Sequence, residues 1–176
     1  MNQSRIGMRN FFTKAITAML LAFAIFGQIH SQHIGGNVSG ETLWTDHGAK
    51  GMQTTGTRYI FPNKYRPMSL DFAGMKSFLA TAPHENAVAI GSSMHILSLP
   101  MPEGGFEHFR IVYSPIMEAP LAAMFPEIRT YAGQGIEDPT AYIRLDATPQ
   151  GFHAMVLRTG KSAVYIDPYA MGDTQL

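Results

Sequence analysis

The stretch MHILSLPMPEGGFEHFRIVYS, Met94 to Ser114, decides the fold. Apolar residues alternate on both sides of Pro102-Glu103-Gly104-Gly105. That alternation is the period of a half-buried strand, and a Pro-Gly-rich break between two such runs is hairpin punctuation. Leu97 and Leu99 fall on one face of a first strand, Met94–Met101. Phe109, Ile111 and Tyr113 fall on one face of a second, Phe106–Ser114.

The same punctuation repeats toward the C-terminus. Ala141–Ala147, Phe152–Arg158 and Lys161–Ile166 read as a meander turned by Thr148-Pro149-Gln150-Gly151 and Thr159-Gly160. Its middle run is apolar on both faces, which predicts an inner strand. Pro120 pre-sets a short helix at Leu121–Met124, and Pro126 ends it. Upstream, Asp71 is placed to cap a helix reaching Thr81, with Phe72, Met75, Phe78 and Leu79 at helical spacing. Arg58–Phe61 and Tyr65–Leu70 read as short extended pieces. Gln32–Gly56, rich in Gly, Ser, Thr and Gln, reads as an extended arm anchored through Trp44. The expected class is α+β and β-rich: antiparallel hairpins and a meander with one or two short helices. Its expected core is Leu97, Leu99, Phe109, Ile111, Ile143, Phe152, Val156 and Ile166.

Composition bounds the function. The chain has 176 residues, 45% of them hydrophobic, so one domain with a real core is expected. Thirteen basic residues balance thirteen acidic ones, which argues against a nucleic-acid partner. There is no cysteine, which removes disulfides, thiol catalysis and Cys-ligated metals. Arg5, Arg9 and Lys14 precede an apolar run, Ala15–Gly27, broken only by Thr17. A stable membrane span needs about 20 such residues, so the run reads as the centre of a secretory signal peptide cut between Ser31 and Gln32. Its removal takes three of the thirteen basic residues and no acidic one, leaving ten against thirteen. The expected layout is a signal peptide at 1–31, an arm at 32–56, a β-rich domain at 57–170 and a short tail at 171–176.

No catalytic constellation stands out. His84-Glu85-Asn86-Ala87-Val88 has Val88 where a zinc-binding helix needs a second His. His95, His108 and His153 fall singly on expected strands, as ordinary surface or hydrogen-bonded histidines. Gly133-Gln134-Gly135 lacks the third glycine of a dinucleotide loop and reads as a tight turn with glycine at positive φ. Glu137, Asp138 and Asp146 are a weak calcium pattern. Gly91-Ser92-Ser93 is not a nucleophile elbow.

One longer pattern does stand out. LSLPMPEGGFEHFRIVYSPIMEAPLAAMFPEIRTYAGQGIEDPTA at Leu97–Ala141 comes in order with three other segments. They are RYIFPNKYRPMSLD at Arg58–Asp71, TPQGFHAMVL at Thr148–Leu157 and VYIDPY at Val164–Tyr169. Together they resemble the pro-region of secreted bacterial reprolysin-like (adamalysin-type) zinc metalloproteases. The resemblance implies an exported latency and folding module, itself no enzyme, whose partner is the protease catalytic domain in cis or in trans. Zinc is then expected only in that catalytic domain, which does not occur within these 176 residues, as in a truncated precursor or a stand-alone relative. A free-standing secreted or surface β-rich binding module is the alternative. The family's wider group is described as using a pro-region cysteine on the zinc; with none here, latency rests on a carboxylate, an imidazole or steric blocking. The loop expected to meet the partner is Tyr131, Gly133, Gln134, Gly135, Glu137 and Asp138, since loops on a rigid sheet carry recognition.

Mass spectrometry of the exported protein should find a mature start within a few residues of Gln32. Intact Met1 on protein from the soluble cytoplasmic fraction overturns the export reading.

Overall fold

The computed structural model describes residues 37–39, 41–48 and 56–171, all in the unit Gly35–Leu176. The expected signal peptide, its Ser31–Gln32 cut and residues 172–176 of the expected tail lie outside the described residues.

The two runs around Pro102-Glu103-Gly104-Gly105 form the expected hairpin, β4 (His95–Pro100) and β5 (Phe106–Tyr113), with Leu97 opposite Phe109. Gly104 and Gly105 turn it at φ of 110° and 69°, conformations that a Cβ disfavours. The meander follows as β7 (Tyr142–Thr148), β8 (Gly151–Leu157) and β9 (Val164–Ile166). Between hairpin and meander lies β6 (Arg129–Gly135), paired antiparallel to both β5 and β7. The sequence reading had no strand here. The tight turn expected at Gly133-Gln134-Gly135 is corrected: neither glycine has positive φ, and both lie within the strand. Close packing explains them. A Cβ on Gly133 would stand 2.6 Å from Ile143 Cγ1, and one on Gly135 would collide with the carbonyl oxygen of Asp138.

Within the segment read as an arm, β1 (Asn37–Ser39) pairs parallel to β4. The main sheet is thus β1-β4-β5-β6-β7-β8-β9, antiparallel from β4 onward. Beyond a 3-10 turn at Glu41–Leu43, β2 (Trp44–Asp46) pairs antiparallel with β3 (Met68–Leu70) as a separate ribbon. Helix α1 (Phe72–Leu79) begins where Asp71 accepts a 2.9 Å hydrogen bond from the Gly74 N–H, and it buries Met75 and Leu79. Helix α2 (Ala119–Met124) buries no residue.

The sheet curls. Arg158, just past β8, donates a 2.7 Å hydrogen bond to Glu107 on β5, three strands away. Strands are spaced about 4.8 Å apart, so a flat sheet would hold these two backbones roughly 14 Å apart. Alternation places Glu107 on the face that carries Phe109 and Ile111, and that concave face is the core. Leu97, Leu99, Phe109, Ile111, Ile143, Phe152 and Val156 are buried there as expected, while Ile166 is only partly buried because it sits on the edge strand. The ribbon and α1 contribute Trp44, Met68, Leu70, Met75 and Leu79 to the same cluster.

Phe152 is 4% exposed and meets the Trp44 ring edge-on at 5.8 Å. Phe152→Ala is expected to cost about 3–5 kcal/mol, from lost burial and the cavity left behind. Chemical denaturation checks it, and a loss under about 1 kcal/mol would contradict this core.

Candidate functional site

The residues expected to meet a partner are held largely by the fold itself. Tyr131 is 1% exposed and packs edge-on to Tyr113 at 5.7 Å; burial pushes its phenol pKa up. Gly133 and Gly135 are buried in β6. Gln134 donates to the Pro139 carbonyl at 3.2 Å. Asp138 Oδ1 accepts from the Thr140 N–H at 3.0 Å and from its hydroxyl at 2.6 Å, and these bonds hold its carboxyl below the ordinary value. Glu137 accepts from the His108 backbone N–H at 3.0 Å and meets His108 Nδ1 at 2.5 Å. Burial pushes the Glu137 carboxyl up, but the bonds from His108 outweigh it and leave the group below its usual range. The loop therefore ties the β6–β7 turn to β5, and its six named residues do not form one open surface.

The remaining polar groups distribute similarly. Asp146 and His153 are cross-strand partners at 2.9 Å. Among the described residues, no group of three or more His, Asp or Glu side chains could hold a metal ion. No described helix is long and apolar enough to cross a membrane.

The concave surface with room for a ligand lies elsewhere. A groove of about 920 Å³ is lined from Trp44, the segment 58–70, the turn at Pro100–Pro102, Phe152 and the stretch 163–171. One wall is positioned by Arg66, which sequence reasoning did not single out. Its Nε donates to Asp46 Oδ2 at 2.8 Å, and its Nη1 donates to the Met101 and Gly105 carbonyls at 3.0 and 2.9 Å. One guanidinium thus clamps the segment around Tyr65 to β2 and to the hairpin turn. Asp46 accepts from the Gly48 N–H as well as from Arg66, which holds its carboxyl below the ordinary value.

Arg58 is the centre of the other wall. Its guanidinium lies 4.0 Å from the Tyr169 ring centroid, 5.1 Å from Phe61 and 5.4 Å from Tyr65. Nη1 donates to the Tyr169 hydroxyl at 3.0 Å. Of the groove's cations, Lys64 has Glu103 and Arg66 has Asp46, whereas no carboxylate among the described residues pairs with Arg58. Arg58 Nε and Trp44 Nε1 are buried donors without an acceptor among the described residues. A buried unmade hydrogen bond costs about 1–3 kcal/mol, so an acceptor supplied to either atom would be stabilising. Tyr59 and Ile60 stand 69% exposed on the rim, with Phe61, 71% exposed, next to them in the chain. Arg58-Tyr59-Ile60-Phe61, read from the sequence only as a short extended piece, holds the signal that could have led here: aromatic and apolar residues beside a basic one.

Comparison with known proteins finds no matching family model, no matching curated protein and no matching solved structure.

His95 gives a separate electrostatic signature. It is 7% exposed, stacks on Phe78 at 4.0 Å and shares a 3.0 Å hydrogen bond with the Phe78 carbonyl. Burial lowers its pKa, only partly offset by that bond. The folded state thus binds fewer protons than the unfolded one below the ordinary histidine value of 6.5. Stability from neutral His95 is complete above about pH 6.5 and is lost as pH falls through the window beneath it. Denaturation midpoints measured from pH 7.5 to 5 should decline below 6.5, and His95→Gln should flatten the decline. An equal decline in both proteins would contradict the assignment.

Proposed function

We propose that this chain is a binding module without catalytic action of its own, serving as the exported pro-domain of a reprolysin-like zinc metalloprotease. The observation that carries the binding role is the groove: a concave, largely apolar surface with exposed aromatic residues on its rim and, in its wall, a guanidinium that no described carboxylate pairs with. Such a surface on a curled sheet is suited to recognition. The ordered resemblance from Arg58 to Tyr169 supplies the identity of the partner. With no cysteine in the chain, latency in this reading comes from occupying or covering the protease cleft, and a module that binds the native protease also stabilises it by mass action.

Supplied in trans, the chain is expected to bind the catalytic domain of a full-length relative and slow its cleavage of a peptide substrate, while showing no peptidase activity alone. Absence of both binding and inhibition would favour the free-standing module. Replacing Glu137 and Asp138 by Ala distinguishes the role of the β6–β7 turn. Lost inhibition with unchanged thermal stability marks a contact, and lost stability marks the structural turn to which their internal bonds point.

A further inference from the structure

We propose that the groove takes an extended peptide segment whose carboxylate side chain meets Arg58, whose flanking apolar side chains lie on Trp44 and Phe152, and whose backbone pairs with the edge of β9. The inference rests on the binding-module reading above and names the chemistry of what is bound.

Three features lead to this occupant. Charge comes first. Arg58 is the groove cation that no described carboxylate faces, and three aromatic rings fix its position. A guanidinium held in place matches a carboxylate through paired, charge-assisted hydrogen bonds. Asp167 also lines the groove but makes no ion pair with it among the described residues. The second feature is the edge. β9 is the terminal strand of the sheet, and Val164, Tyr165 and Ile166 line the groove. No backbone hydrogen bond joins β9 to a described segment other than β8. An unpaired edge is a template for a further strand, and strand addition supplies affinity through the main chain while side-chain pockets supply specificity. The third feature is the floor, where the largely buried Trp44, Leu70, Phe152 and Val164 form an apolar base beneath the alternate side chains of an extended segment. A free amino acid or a small anion would use Arg58 alone and leave edge and floor empty.

The test uses the full chain on an immobilised array of octapeptides with Val, Ile, Leu or Phe at alternate positions. The central position carries Glu, Gln, Lys or Ser. Binding is expected to concentrate on the Glu set, with affinity about tenfold or more above the Gln set, the size of one charge-assisted bond. Arg58→Met should abolish the Glu preference while leaving the thermal midpoint within a few degrees, and Arg58→Lys should restore part of it. Tyr165→Pro, at an edge position, should weaken the Glu and Gln sets alike. Equal binding of Glu and Gln peptides by the unmodified chain overturns the proposal, as does a preference that survives in Arg58→Met or no binding to any set. Inhibition of the protease in trans reports on the pro-domain reading separately. Inhibition by an unmodified chain that shows no Glu preference removes the groove proposal and leaves that reading standing.

Discussion

The edge-on contact between Trp44 and Phe152 joins the two parts of the architecture that have no shared strand. Phe152 belongs to β8 in the seven-stranded sheet, and Trp44 belongs to the β2–β3 ribbon. Ladder hydrogen bonds cannot dock a ribbon on the face of a sheet, because those of each lie in its own plane, and among the described residues side-chain bonds contribute only the Arg66 clamp at the hairpin turn. Apolar burial does it instead. Trp44, Met68 and Leu70 supply the ribbon side of that interface and are each at most 9% exposed. The ribbon then fixes the start of α1, because the Asp71 N–H donates to the Leu43 carbonyl at 2.8 Å and Asp71 caps the helix. The groove is a consequence of the same contact, since both rings form part of its lining.

The curl of the sheet is favoured by glycine, which has no side chain to hold neighbouring strands apart. At Gly133 the backbone of β6 lies against Ile143 and Ile111 so closely that even a methyl group would overlap both. Strands on either side can therefore fold toward each other over β6, and Arg158 reaches Glu107 across the concavity. That ion pair is mostly buried on the arginine side, 9% exposed against 25% for the carboxylate, and Arg158 Nε lacks a partner among the described residues. A half-satisfied buried pair contributes little net stability and much geometry. Its effect is to hold the rim of the sheet in one curvature.

The hairpin, the meander and helix α1 were legible because each carries local chemistry that determines it: a Gly-Gly turn, apolar runs set between Pro- and Gly-containing turns, an aspartate cap. β6 was not. Its two glycines carry the same letters as a turn, and only the neighbours Ile143 and Asp138, brought close by pairing, distinguish packing from turning. Trp44 was legible as an anchor, yet the partner that it finds is 108 positions along the chain. Glu137 and His108 meet through the β5–β6 register, which no linear spacing reveals. The groove was hidden for the same reason. Arg58 takes Phe61 and Tyr65 from its own segment but Tyr169 from beyond the last strand, so its surroundings exist only after the sheet has closed.

The placement of Arg58 also bears on how a groove of this kind can be selective. A free arginine side chain loses considerable rotamer freedom on binding, and an exposed ion pair offsets little of that loss. Here the guanidinium is ordered by folding, through the Tyr169 hydroxyl and ring faces that attract a cation. Those rings neutralise none of its charge, so the attraction for an anion is retained while the ordering cost is already met. An aromatic cradle therefore prepares the cation without satisfying it, whereas a carboxylate in the same place would have done both. Lys64 and Arg66, each facing an acidic residue, illustrate the other outcome within the same groove.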